Sequence, residues 1–330
     1  MKRESDTLVD LVPAGTIAEP PSGANHTGVL VRGRFQLDGV IGSGAMGTVF
    51  GGFDRQTGAE VAVKILLEKY SQSEQHVGRF LHEAHIQRAI PHQGVVHVID
   101  FGRDEEGRWF IALERLRGED LGAALERGAL PSEEVVEIGH QLLGVLAAAH
   151  GHGVIHRDVK PENIYLVRDP RRSEDKQPRD EAEERSALAH DLRVKLLDFG
   201  IAKTSGSVPF AGAVRTHEGV KLGTPHYMSP EQWRGEPLSA RSDVWAAGAV
   251  LFTAVMGNPP HDADDLGALM EQITKRPAPS LKKIRPEIGP AFVDAIDRAL
   301  ATEPDKRFAD CRAMAAFLHM GGVRVEELDW

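Results

Sequence analysis

The stretch His156-Arg157-Asp158-Val159-Lys160-Pro161-Glu162-Asn163 sets a carboxylate, an ammonium and a carboxamide within a few residues of one another. Asp158 can accept the proton of an attacking hydroxyl. Lys160 can neutralise a phosphoryl group in transit, and Asn163 can offer its amide oxygen to Mg²⁺. Phosphoryl transfer needs these groups at one point in space, because its catalysis is positioning plus electrostatic stabilisation. An octapeptide of this kind can also be a polar turn. The rest of the chain must therefore supply a phosphate cradle, a cation for the phosphates and a second oxygen ligand.

The elements that would position them follow in order. Phe35–Ile41 reads as a strand leading into Gly42-Ser43-Gly44-Ala45-Met46-Gly47. A dinucleotide-binding G-x-G-x-x-G must open a helix. Here β-branched and aromatic residues follow (Thr48-Val49-Phe50), then a turn at Asp54–Gly58 and a strand over Glu60–Leu66. That pattern predicts a hairpin whose glycines let backbone approach phosphate closely. Lys64 lies inside the apolar strand, where a charge needs a partner. Glu83, in the helical run Phe80–Ile86, can provide one. Val95–Phe101 and Trp109–Leu113 predict two more strands about a charged turn.

Beyond Gly118 the character becomes helical. Ser132 is expected to cap a helix from near Glu133 to about His152, with Val135, Ile138, Leu142, Leu143 and Leu146 on its inner face. His150 and His152 near its end make no metal site without further ligands. Ile164–Val167 and Val194–Leu197 read as a strand pair. The charge-rich segment 168–191 between them is expected to leave the body as a solvated hairpin loop. Asp198 closes the second strand. Residues 242–256 form an apolar run too short for a membrane span and read as a buried helix. Two amphipathic helices are expected at 289–301 and 309–319.

The 330 residues carry 39 basic and 49 acidic side chains, for a formal net charge of −10. This balance argues against nonspecific nucleic-acid binding. A single cysteine, Cys311, permits no intrachain disulfide and fits a reducing, cytoplasmic setting. No apolar h-region follows the N-terminus, so no signal peptide is expected. Residues 1–32, with Pro13, Pro20 and Pro21, read as a disordered leader, and 321–330 as a short tail.

The octapeptide resembles the catalytic loop of eukaryotic-type protein kinases, H-R-D-x-K-x-x-N, and Lys160 resembles the serine/threonine branch. Further motifs appear in family order: the Gly loop, Val-Ala-Val-Lys64, Asp198-Phe199-Gly200, Gly223-Thr224-Pro225-His226-Tyr227-Met228, and Ser229-Pro230-Glu231 with Ser in place of Ala. The likeness is greatest to the bacterial members. It implies an α+β, bilobal fold over residues 33–320. A small lobe at about 33–115 holds a five-stranded antiparallel sheet and one helix, and a mostly helical lobe spans about 119–320.

The resemblance also implies roles. ATP would be bound by Ile41 and the loop Gly42, Ser43, Gly44, Ala45, Met46 and Gly47, with Val49, Ala62, Lys64 and Glu83. Leu113 (the gatekeeper), Glu114, Leu116 and Tyr165 would line the adenine pocket. Asp158, Lys160, Asn163 and Thr224 would be catalytic. Asn163 and Asp198 would hold Mg²⁺, with Mn²⁺ as a substitute. Phe199 would pack beneath the Glu83 helix. Arg157 would bind a phosphate on Thr216, with Thr204, Ser205 and Ser207 as weaker candidates. Asp243 would hold the catalytic-loop backbone, and Glu231 would pair with Arg307. Tyr165 departs from the smaller apolar residue usual there and is expected to narrow the nucleotide pocket.

The implied activity is transfer of the ATP γ-phosphoryl group to Ser or Thr hydroxyls of proteins, with autophosphorylation in the activation loop. A kinase–kinase dimer is a further possible partnership. A nucleotide-binding pseudokinase should lack Lys64, Asp158 or Asp198, and none is missing. A small-molecule phosphotransferase of the same fold should lack the Gly-Thr-Pro and Pro-Glu segment, which is present. Regulatory input is expected through partners, the leader or the insert.

Overall fold

The computed structural model describes residues 28–44, 46–168, 191–199, 225–285 and 288–320. The smaller lobe contains β1 (Leu30–Val31), β2 (Phe35–Ser43), β3 (Gly47–Asp54), β4 (Glu60–Leu66), α1 (Glu68–Ser71), α2 (Glu74–Ala89), β5 (Val98–Arg103) and β6 (Trp109–Glu114). Its strands form one antiparallel sheet in the order β1-β2-β3-β4-β6-β5. The five expected strands are joined by β1, which lies within the expected leader. Val31 is wholly buried with Phe35, Leu37 and Phe110, so ordered structure begins before residue 33. The reason is physical: one apolar side chain completes that core, and Arg32 and Gly33, both at positive φ, turn the chain back into β2.

Ser73 caps α2 by accepting a hydrogen bond from His76 N at 3.4 Å. Phe80 and Ala84 bury against Leu66, Val98 and Ile111. This packing fixes the helix on the sheet and, one residue before Ala84, delivers Glu83 to the cleft.

The larger lobe contains β7 (Gly118–Asp120), α3 (Leu121–Leu125), α4 (Ser132–Gly151), β8 (Ile164–Arg168), β9 (Leu192–Leu196), α5 (Pro230–Arg234), α6 (Ala240–Met256), α7 (Leu266–Lys275), α8 (Pro290–Ala299) and α9 (Cys311–Met320). Short 3₁₀ turns stand at Pro161–Asn163, Pro225–Tyr227, Leu281–Lys283 and Pro304–Lys306. Every residue from Ser242 to Val255 is buried, so α6 is the axis of this lobe. A helix apolar on all sides can only be packed on all sides.

The expected cap at Ser132 is not formed. Helix α4 begins at Ser132 itself behind Pro131, with Glu133 and Glu134 in its first turn. Proline has its φ already fixed, and the two acids complement the helix dipole without a side-chain cap. Strands β7, β8 and β9 form a three-stranded antiparallel sheet. Arg168 pairs with Leu192, so the charge-rich segment departs from and returns to one end of the β8–β9 hairpin. Residues 169–190 of that segment lie outside the described ones. Among the described residues no helix is long and apolar enough to cross a membrane.

Candidate active site

The 156–163 octapeptide has little regular structure of its own, so side chains must satisfy its backbone. Asp243, wholly buried on α6, accepts the N–H groups of His156 and Arg157, both at 2.8 Å. His150 Nε2 also meets it at 2.8 Å, which gives that histidine its structural use. Gln232 Nε2 donates to Arg157 O at 2.9 Å. Arg157 sits at φ +69°, a left-handed conformation that costs a non-glycine residue on the order of 1–3 kcal/mol. The Asp243 bonds hold it there.

His156 is fully buried. Its Nδ1 accepts from Asp158 N at 3.3 Å, which leaves Nε2–H to donate to Leu197 O at 3.2 Å. Burial lowers its pKa, in keeping with this neutral tautomer. One imidazole thus ties the Asp158 loop to the end of β9. The amide of Asn163 adds a second tie. Its Nδ2 donates to Asp158 O at 2.8 Å and Oδ2 at 3.3 Å, while Asn163 O accepts from Leu197 N at 2.8 Å. Lys160 Nζ lies 3.7 Å from Asp158 Oδ2.

Asp198 emerges just beyond β9. Its Oδ2 stands 3.2 Å from Lys64 Nζ, which stands 3.1 Å from Glu83 Oε1. This chain Glu83–Lys64–Asp198 crosses from one lobe to the other. Burial opposes the charge on Lys64, but Asp198 and Glu83 together outweigh it and raise its pKa. Burial, then the nearby Asp198 charge, lifts Glu83 above the usual carboxylate range. Desolvation by the surrounding cleft works against the Asp198 charge, yet Lys64 more than offsets it and holds that carboxyl low. The Asp198 side chain is 57% exposed and remains open to a ligand.

The Gly loop joins β2 to β3, as the strand–turn–strand reading requires. Gly44 N donates to Gly47 O at 2.8 Å, which closes the turn. A Cβ on Gly47 would stand 2.8 Å from Ile65 O, so only glycine lets β3 enter so close to β4. Leu67 N donates to Met46 O, and Ser43 pairs with Thr48 at the loop's mouth, beside Gly42 paired with Val49. Val49 pairs with Lys64 and Ala62 with Leu113, while Ile41 borders Gly51. These registers gather the expected roof and gatekeeper residues on adjacent strands. Ala45 lies outside the described residues, as do Gly200, Thr204, Ser205, Ser207, Thr216 and Thr224.

Tyr165, the departure from the family pattern, is anchored through both its ring and its hydroxyl. It is wholly buried and packs with Val96, Leu116 and Leu197, against Leu113. Its hydroxyl donates to Gly118 O at 2.7 Å. Its ring thus stands among Leu113 and Leu116, two of the expected adenine-pocket residues, while its hydroxyl holds Gly118. A buried phenol needs an acceptor, and the Gly118 carbonyl draws it there. Phe199 is buried in the large-lobe core, its ring 4.9 Å from that of His156, and Ile86 of α2 packs on the same cluster.

Farther out, all five N–H groups of the fully buried Arg307 are used. Nη1 and Nη2 meet Glu231 at 2.8 and 3.0 Å, and Ala301, Arg241 and Thr302 carbonyls take the rest. Burial would raise the Glu231 pKa, but Arg307 lowers it below its usual value.

Sequence reasoning missed Gln141, which accepts from Val194 N and donates to Leu192 O, pinning β9 to α4. It also missed Lys195, which meets Glu114 Oε1 at 2.5 Å. A lysine between Val194 and Leu196 in an apolar strand carried the same signal as Lys64.

The donor set suits Mg²⁺. Asn163 spends its amide N–H groups on Asp158, which turns its oxygen away for another use, and Asp198 is an exposed carboxylate. Two hard oxygen ligands, with the remaining positions left to phosphate and water, are what Mg²⁺ favours.

Residues 35–319 match the family described as protein kinase domain. The serine/threonine-protein kinase pkn3 of Myxococcus xanthus is 37% identical over 302 residues, covering 90% of this chain and 52% of its own length. PrkC of Bacillus subtilis is 30% identical over 290 residues, 88% of this chain and 40% of its own. The chain thus spans about half the length of such curated relatives, or less. The crystal structure of the Mycobacterium tuberculosis PknI kinase domain superposes with a TM-score of 0.63 at 25% identity, covering 91% of this chain and all of that one. A lysine shared by Glu83 and Asp198, a buried Asp243 under the catalytic loop and a family match over most of the sequence lead to one conclusion: the chain belongs to the protein kinase domain family.

Proposed function

We propose that this domain transfers the γ-phosphoryl group of ATP to Ser or Thr hydroxyls of proteins, using Mg²⁺. The observation that carries the reading is the continuity of its parts. Glu83–Lys64–Asp198 is joined through Leu197 to Asn163, and Asn163 bonds Asp158. Asp158 orients the acceptor hydroxyl and takes its proton. Lys160, 3.7 Å away, offsets charge on the transferring group. Lys64 holds the ATP phosphates beneath the Gly loop, with Glu83 fixing its ammonium. Asn163 and Asp198 would hold Mg²⁺, which supplies positive charge to the phosphate oxygens when bound. The gain comes from positioned charge that needs no rearrangement at the moment of reaction.

Activation-loop autophosphorylation belongs to the same proposal. Among the described residues, Arg157 Nε is buried and has no hydrogen-bond partner. A phosphate on the 200–224 segment, Thr216 first, would bind such a guanidinium strongly. We place the domain in the cytoplasm, a setting that suits its single, buried Cys311.

The test is transfer from γ-labelled ATP to a generic Ser/Thr-containing acceptor protein, with Mg²⁺ and with excess EDTA, followed by phosphoamino-acid analysis. Label on serine or threonine that EDTA abolishes is the expected result. Nucleotide binding without any transfer would replace this reading with that of a scaffold.

A further inference from the structure

The two expected metal ligands stand at the same end of one hairpin. Asn163 immediately precedes β8, and Asp198 lies two residues past β9. On that hairpin Tyr165 and Lys195 are direct register partners. Opposed residues of an antiparallel pair project from the same face. Here both reach the segment that links the lobes, and each grips a different end of it. Lys195 Nζ meets Glu114 Oε1 at 2.5 Å and Val95 O at 3.5 Å. The Tyr165 hydroxyl donates to Gly118 O at 2.7 Å.

Both grips are built into the fold. The Glu114 carboxylate also accepts from His97 N at 2.7 Å, and Glu114 N donates to His97 O at 3.0 Å. Gly118 sits at φ +146°, and a Cβ there would stand 2.0 Å from Leu166 O. That end of the segment is thus pressed against β8 itself. Between the grips, Leu116 is buried on the Tyr165 ring's cluster.

We propose that Tyr165 and Lys195 form a two-point clasp that fixes the Glu114–Gly118 segment to the hairpin bearing Asn163 and Asp198. They are positioning residues: they hold the base-binding segment and the metal ligands in one register, so ATP meets both without rearrangement. The proposal rests on the kinase reading for its benefit to ATP. The clasp itself is a property of the Glu114–Gly118 backbone and can be measured without phosphotransfer.

The test compares the full chain with its Tyr165→Phe, Lys195→Met and Lys195→Arg variants. Three quantities are read: affinity for a fluorescent ATP analogue with Mg²⁺, KM for ATP against kcat, and amide hydrogen exchange along the chain. Tyr165→Phe keeps the packed ring and removes the hydroxyl that bonds Gly118 O, so folding is preserved. Loss of one such bond should raise Kd and KM for ATP about three- to tenfold, with kcat within about twofold. Exchange should quicken at 114–118 and stay slow in α6. Lys195→Arg keeps the ion pair and should restore KM to within about twofold of the parent. Unchanged exchange at 114–118 with unchanged nucleotide affinity would overturn the clasp. So would faster exchange throughout the domain, α6 included, which would make the two residues merely structural. A parent that binds the analogue but transfers no phosphate would instead defeat the kinase reading, and the affinity and exchange data would still judge the clasp.

Discussion

At the scale of single residues, the site is a set of charges whose worth depends on having partners. Lys64 is the sharpest case, since Glu83 and Asp198 both depend on it. Lys64→Met should leave the fold intact and cut phosphotransfer by on the order of 10²–10³-fold, as loss of a positioned electrostatic group does. Steady-state assay beside the unfolding midpoint separates the two effects. Arg307 has the opposite profile, being remote from the chemistry. Arg307→Met strands the Glu231 carboxylate in the core and should cost about 3–5 kcal/mol in urea unfolding. Adding Glu231→Gln should recover part of that loss, because the stranded charge is then gone. Most of these residues were legible from type and spacing, because charge inside an apolar strand or helix announces a partner. Tyr165 was not, because its use is set by a carbonyl at Gly118 that no sequence pattern marks. Arg157 was legible as a residue but not as a strained one, since its φ of +69° follows from Asp243, far away in sequence.

At the scale of elements, burial decides behaviour. On α4, His140 is buried beside His319 of α9, and among the described residues its own ring nitrogens have no hydrogen-bond partner. Burial, with the His319 charge, drives its pKa down to about 4. In the unfolded chain it titrates near 6.5, so below that pH the unfolded state binds a proton that the folded state refuses. Stability contributed by neutral His140 is whole above about pH 6.5, falls as pH drops, and levels off near pH 4, by about 3 kcal/mol at most. Urea midpoints at pH 7.5 and pH 5 should therefore differ more in the parent than in His140→Leu. Equal differences would contradict the assignment. The fold's elements were read well where periodicity was long: α4, α6 and the β2–β3–β4 hairpins appear where expected. They were read poorly where a cap or a short edge strand decided the outcome. Ser132 looked like a cap, but Pro131 already set the entry. β1 was too short to show a period, and only the burial of Val31 makes it part of the sheet.

At the scale of the whole molecule, the two lobes meet through apolar packing, Ile86 on the large-lobe core and Val96 on Tyr165, and through a few charged bonds. Lys64 reaches from β4 to Asp198, and Lys195 from β9 to Glu114. The proposed chemistry needs both lobes, since the lysine assigned to the phosphates comes from one and the assigned proton acceptor from the other. The central claim is that Asp158 is the group that orients and deprotonates the acceptor. The most direct measurement incubates the purified chain and its Asp158→Asn variant with ATP and Mg²⁺ and maps the phosphorylated residues over time. Phosphothreonine or phosphoserine should appear within 204–224 of the parent, at a rate that falls about 10²–10⁴-fold in the variant, the usual worth of a positioned base. Phosphorylation of the purified variant at the parent's rate and sites would contradict the role assigned to Asp158.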